Sequence, residues 1–148
     1  MTDAELALMR DEWAIRKLAM DYARTVDRDD GPGFAALFTK DASVVGPGFK
    51  VEGYDQIAGN PGMLKRMYRS TMHTVLNQTV RVTGDTATGE TYCLAHHINH
   101  PQDGKHTRLT WAIRYQDQCV KRDGRWLYTH RELVVDFTET STVELIGA

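Results

Sequence analysis

TYCLAHHINH, residues 91–100, alternates in character residue by residue. Read as a β-strand over Thr91–Asn99, it places Thr91, Cys93, Ala95 and His97 on one face and Tyr92, Leu94, His96 and Ile98 on the other. Three imidazoles within five positions suggest a metal site, a catalytic base with neighbours, or surface histidines. Alternation argues against the first, because His96 and His97 point to opposite sides and His100 falls in the turn that follows. Zinc requires three or four convergent ligands, and the chain has no CxxC or HExxH motif. No metal is expected.

Working outward, this strand belongs to a run of similar ones. Thr74–Thr83 precedes it across the turn GDTATG (84–89), and Leu109–Val120 follows PQDGK (101–105). The tight turn RDG (122–124) then leads to Trp126–Phe137. The first half of the chain reads differently. Leu6, Met9, Trp13, Ile15, Leu18, Tyr22 and Val26 recur at spacings of three and four, predicting a helix from about Asp3 to Val26, capped by Thr2 or Asp3. Gly31-Pro32-Gly33 stops it. A short helix over 34–38, a strand over Ala42–Val45, a return strand over Phe49–Val51 and a helix around Met63–Tyr68, with Pro61 near its start, complete the pattern. Helices followed by an antiparallel meander predict an α+β domain with helices packed on one face of a curved sheet, spanning residues 1–148 without repeat or linker. The tail TETSTVELIGA adds an edge strand or meets a neighbouring subunit.

Composition agrees with one globular domain: 148 residues, 41% hydrophobic and 26% charged. A net charge of -2 offers no attraction to nucleic acid or an anionic membrane. Cys93 and Cys119 lie in strands and are expected as free buried thiols of a reduced compartment. The start MTDAELALMRDEW carries acids where a signal peptide has bases, and no apolar run approaches the ~18 residues of a membrane span. A cytoplasmic location is expected.

A curved sheet over helices encloses a pocket, and the inward positions supply its candidates. His97 comes from the opening strand, or His96 if the register slips by one residue. Trp111, Ile113 and Tyr115 share a face of the next strand, and Arg131, Leu133 and Val135 share one of the last. His73 opens the first long strand, Tyr22 lies on the helical stripe, and Asp27 sits where that helix stops. Each has a plain alternative: a core tyrosine, a turn carboxylate, a histidine capping the sheet, or an Arg131–Glu132 surface pair.

The segments IRKLAMDYARTVDRDDGPGFAALFTKDASVV, STMHTVLNQTVRVTGDTATGETYCLAHH and RYQDQCVKRDGRWLYTHREL resemble the SnoaL-like branch of the nuclear transport factor 2-like superfamily. That branch holds scytalone dehydratase, bile-acid dehydratase and hexachlorocyclohexane dehydrochlorinase. The resemblance runs from about Leu8 to Phe137 and implies a cone-shaped α+β barrel. It also implies a site: the acid ending the first helix matches Asp27, the histidine of the long strand His73, the tyrosine ahead of the acid Tyr22, and the pocket arginine Arg131. The second histidine of scytalone dehydratase matches His97. The chain lacks the lysine that the dehydrochlorinase carries near the position of Tyr22, which argues against dehalogenation.

These matches imply a cofactor-independent lyase acting on a small hydrophobic, oxygenated cyclic substrate. His73 is the expected base, Asp27 its tautomer-fixing partner, and Tyr22, with His97, the donor to an enolate or a departing hydroxyl. Arg131 is expected to bind an anionic substrate group or assist the leaving group. Trp111, Tyr115, Phe34, Cys93 and Met72 or Met67 are the expected walls. Isomerisation or cyclisation by the same enolisation remains open, as do a non-catalytic assembly subunit and an Asp-Arg-Asp epoxide hydrolase, for which no convincing second inward carboxylate is found: Asp117 is in phase with Tyr115 yet near a turn. Association into a dimer or trimer through the convex face is expected, where Tyr92, Leu94 and Ile98 are apolar.

Overall fold

The computed structural model describes residues 1–147. Helix α1 (Asp3–Asp27) opens with a capping box: Thr2 Oγ1 accepts from the Glu5 N–H, and the Glu5 carboxylate accepts from the Thr2 N–H at 2.6 Å. Its buried face is Ile15, Leu18, Ala19, Tyr22, Ala23 and Val26. The N-terminal half of the expected stripe is not part of it, since Met9 and Trp13 stay exposed. There the helix meets the sheet through Asp11, which accepts from Trp126 Nε1 and Lys121 Nζ, both at 2.9 Å.

Helix α2 (Gly31–Ala35) begins earlier than the sequence pattern predicts, because Asp30 caps it and Pro32 suits a first helical turn. Gly31 is required by contact: a Cβ there would lie 2.4 Å from the Ala58 carbonyl oxygen of the following helix. Helix α3 (Tyr54–Met67) is also longer than expected and contains Pro61 in its interior. Burial of Ile57, Asn60 and Pro61 offsets the backbone bond that proline forfeits.

Six strands form one sheet: β1 (Phe38–Gly46), β2 (Phe49–Glu52), β3 (Ser70–Thr83), β4 (Thr86–Ile98), β5 (His106–Arg122) and β6 (Arg125–Val143), in spatial order β2-β1-β6-β5-β4-β3. Only the β1–β6 pairing is parallel. The sheet is curved and open at β2 and β3, and the helices complete the cone. The tail does not form a separate edge strand. It prolongs β6 along β5, as far as the pairing of Val143 with His106; Ala148 lies outside the described residues. Cys93 and Cys119 are free and buried. Among the described residues no helix is long and apolar enough to cross a membrane.

Across the concave face, Asp117 stands directly opposite Arg131. Arg131 is 1% exposed and donates two bonds to that carboxylate, Nε to Oδ1 at 2.7 Å and Nη2 to Oδ2 at 2.9 Å. The rings of Tyr115, Tyr22 and Tyr128 flank its guanidinium at 3.9, 4.3 and 4.4 Å. Burial opposes the charge, but Asp117 outweighs it and holds the guanidinium well above its ordinary pKa. Thr91 Oγ1 donates to Asp117 and accepts from Gln78. The surface pairing of Arg131 with Glu132 is therefore not formed, and Asp117 is the inward carboxylate that its place near a turn obscured. Removing one partner of such a pair strands a buried charge. Arg131→Met should lower stability by about 3–5 kcal/mol in urea unfolding, and adding Asp117→Leu should recover most of the loss.

Candidate active site

Asp27 is the last residue of α1, the end where the helix dipole disfavours a carboxylate. Three donors from β3 compensate. Asp27 accepts from Thr71 Oγ1 at 2.8 Å, from the His73 backbone N–H at 2.9 Å and from His73 Nδ1 at 2.7 Å. Burial alone would raise its pKa, but the bonds from His73 and Thr71 prevail and hold it below the usual carboxylate range. A carboxylate only accepts, so Nδ1 of His73 carries the hydrogen and Nε2 is left as the basic nitrogen.

His73 contributes to a cavity of about 130 Å³ between the sheet, α1 and α3. Tyr22, Tyr115, Trp111 and His97 line it, and Phe49, Met63, Leu64, Met67, Ile113 and Leu133 contribute to its apolar wall. Ala95 pairs with His73 on one neighbouring strand and with Trp111 on the other. Its small side chain leaves the space that a larger residue would fill. Burial pushes the Tyr22 hydroxyl up, with Arg131 partly offsetting it, so this phenol stays protonated.

His97 faces inward and is 5% exposed, whereas His96 faces outward and bonds Thr110 Oγ1 at 2.8 Å. His97 Nδ1 lies 3.1 Å from the Leu109 carbonyl oxygen, which can only accept, so this nitrogen holds the hydrogen. Burial lowers the His97 pKa to about 4 despite that bond. Its ring is held between Tyr68, at 4.6 Å, and Trp111, at 5.6 Å, and stands 6.0 Å from His73. With Nδ1 holding the hydrogen, Nε2 of the neutral His97 ring is an acceptor. His100 is exposed and lies near the Arg66 carbonyl, away from both. Among the described residues no three His, Cys, Asp or Glu side chains gather as a metal site.

The structure thus brings together Tyr22, His73, His97, Trp111 and Tyr115 at the cavity, with Asp27 behind His73 and Met67 in the wall. Four expected residues lie elsewhere. Arg131 is sealed by Asp117 and is not among the cavity-lining residues. Phe34 packs on Tyr22 in the core, at a ring separation of 4.8 Å. Cys93 is in the same core. Met72 is exposed and lines an open groove between α1 and β3, which Asp27, Thr71 and His73 border as well. Thr71 was missed although its two-residue offset from His73 signals a shared face. Tyr68, Asn60 and Phe49 come from other elements and carry no local signal.

The sequence pattern of the SnoaL-like domain matches residues 7–132. A candidate scytalone dehydratase from Novosphingobium aromaticivorans is 28% identical, with a TM-score of 0.77 over 100% of this chain and 95% of its own. A protein of unknown function from Mycobacterium tuberculosis is 24% identical over 92% and 77%, with a TM-score of 0.79. A hexachlorocyclohexane dehydrochlorinase from Novosphingobium barchaimii shares the fold at 17% identity, a TM-score of 0.79 and 96% coverage of both chains. Comparison with curated proteins finds no match in sequence.

The neutral His97 has a measurable consequence. Its folded pKa lies below the ordinary histidine value, so between about pH 6.5 and about pH 4 the unfolded chain binds a proton that the folded chain refuses. Stability should fall over that window, by on the order of 3 kcal/mol at its lower end. His97→Phe should remove this component of the slope in pH-dependent urea unfolding.

Proposed function

The chain belongs to the SnoaL-like domain family, and from that premise and its Asp27–His73 pair we propose a cofactor-independent lyase of the dehydratase type, acting on a small hydrophobic, oxygenated ring. One observation carries the reading: a buried imidazole has its Nδ1–H committed to a carboxylate while its ring borders a largely apolar cavity. Such an arrangement suits proton abstraction from carbon, since the unprotonated Nε2 belongs to a side chain that is only 6% exposed.

Nε2 of His73 removes the proton next to a substrate carbonyl, and the C–H electron pair moves to the carbonyl oxygen as an enolate. Asp27 stabilises the imidazolium that results, as the ionised carboxylate its lowered pKa maintains. Tyr22, kept protonated by burial, donates to the enolate oxygen. Collapse of the enolate reforms the carbonyl, creates the carbon–carbon double bond and breaks the bond to the β-hydroxyl. That hydroxyl leaves as water with the proton returned from His73, since His97 holds its only hydrogen on Leu109. Arg131 stands behind Tyr22 and Tyr115 and acts on the site through the placement of those rings.

Assays on a panel of cyclic β-hydroxy ketones test this. His73→Ala should lower kcat/KM by about 10²–10⁴. Tyr22→Phe should lower it by roughly 10²–10³, the usual loss of one donor to developing charge. Asp27→Asn should also reduce turnover while circular dichroism is retained. Wild-type turnover in a folded His73→Ala variant would overturn the proposal.

A further inference from the structure

The dyad leaves unexplained why a second histidine is locked in the same cavity. His97 is immobilised on three sides, by the Leu109 carbonyl at Nδ1, by the Tyr68 ring and by the Trp111 ring. Among the described residues no protein group bonds its other nitrogen. The cavity therefore contains two imidazole lone pairs, on rings 6.0 Å apart, and only one of them is needed to remove a proton from carbon. A lone pair fixed in a largely apolar enclosure discriminates strongly, because a ligand that covers it without donating a hydrogen leaves it unsatisfied.

We propose that His97 is the specificity-determining acceptor of the site and selects ligands that present a ring hydroxyl to Nε2, rejecting ring ethers and unsubstituted hydrocarbon rings. The volume sets the scale of what sits there. At about 130 Å³ the cavity is slightly smaller than those of about 150 Å³ that take benzene, which limits the ligand to a single six-membered ring. The electrostatics agree with the geometry: burial keeps the His97 ring neutral near physiological pH, so it attracts a donor and does not become one. A substrate carbonyl belongs at Tyr22, where a donor awaits it, and a substrate hydroxyl belongs at His97. The inference deepens the lyase reading by naming which oxygen goes where. Its test uses binding alone, so its outcome is independent of whether the dyad turns over substrate.

Phenol, anisole and toluene are the probes, as matched single rings with a hydroxyl, an ether and a methyl group. Isothermal titration of the whole chain should show phenol binding about tenfold tighter than toluene or anisole. His97→Phe should bring phenol to the level of toluene. His97→Gln, whose amide oxygen accepts, should restore part of the preference, and His73→Ala should leave it intact. ¹⁵N spectra of the unsubstituted protein provide a check that needs no variant: phenol should shift the His97 Nε2 resonance while Nδ1 remains protonated. Equal binding of the three probes, a preference that survives His97→Phe but disappears in His73→Ala, or an unmoved Nε2 resonance would each overturn the assignment.

Discussion

Everything near the cavity floor is arranged around a guanidinium that water does not reach. Arg131 is neutralised by a two-point bond to Asp117 and covered by three tyrosine rings, one each from α1, β5 and β6. A buried charge tolerates little displacement of its partner, since the stabilisation depends on geometry that offsets lost hydration. The pair therefore holds β5 against β6 at this row and fixes how closely Tyr22 of α1 approaches the sheet. Two of the three rings are also cavity walls. An ion pair that touches no cavity surface in this way determines the shape of one.

Asp27 supplies a second constraint at the open edge of the sheet. Its carboxylate sits at the unfavourable end of a 25-residue helix and is held there by three donors from β3. The same contacts dock the helix end onto the strand and orient the His73 ring. Docking of the helix end and orientation of the imidazole are thus one set of hydrogen bonds.

The two inward histidines show how environment divides one side-chain chemistry into two roles. His73 gives its Nδ1 hydrogen to a carboxylate, which stabilises the imidazolium that proton abstraction creates. His97 gives its hydrogen to a neutral carbonyl, and burial keeps it uncharged. The first is suited to taking a proton and returning it, the second to accepting a hydrogen bond.

Alternation along residues 91–97 determined by itself that His96 and His97 part company, and the order of helices and strands determined the α+β plan. Both follow from local periodicity, which the chain carries wherever it folds. The same alternation put Tyr115 and Trp111 on one face and offered the pocket His97, or His96 one residue out of register; applied to residues 71–73 it separates Met72 from Thr71 and His73. Element ends were less legible. Helix α2 begins at Gly31 because Asp30 caps it and Pro32 fits its first turn, and α3 runs through Pro61 because burial offsets the lost backbone bond. The roles of Arg131 and His97 were decided only by the tertiary structure. An inward arginine can face a ligand or a carboxylate, and an inward histidine can donate or accept. The choice lies with groups far away in sequence, Asp117 for one and the Leu109 carbonyl for the other, and only folding brings them within hydrogen-bonding distance.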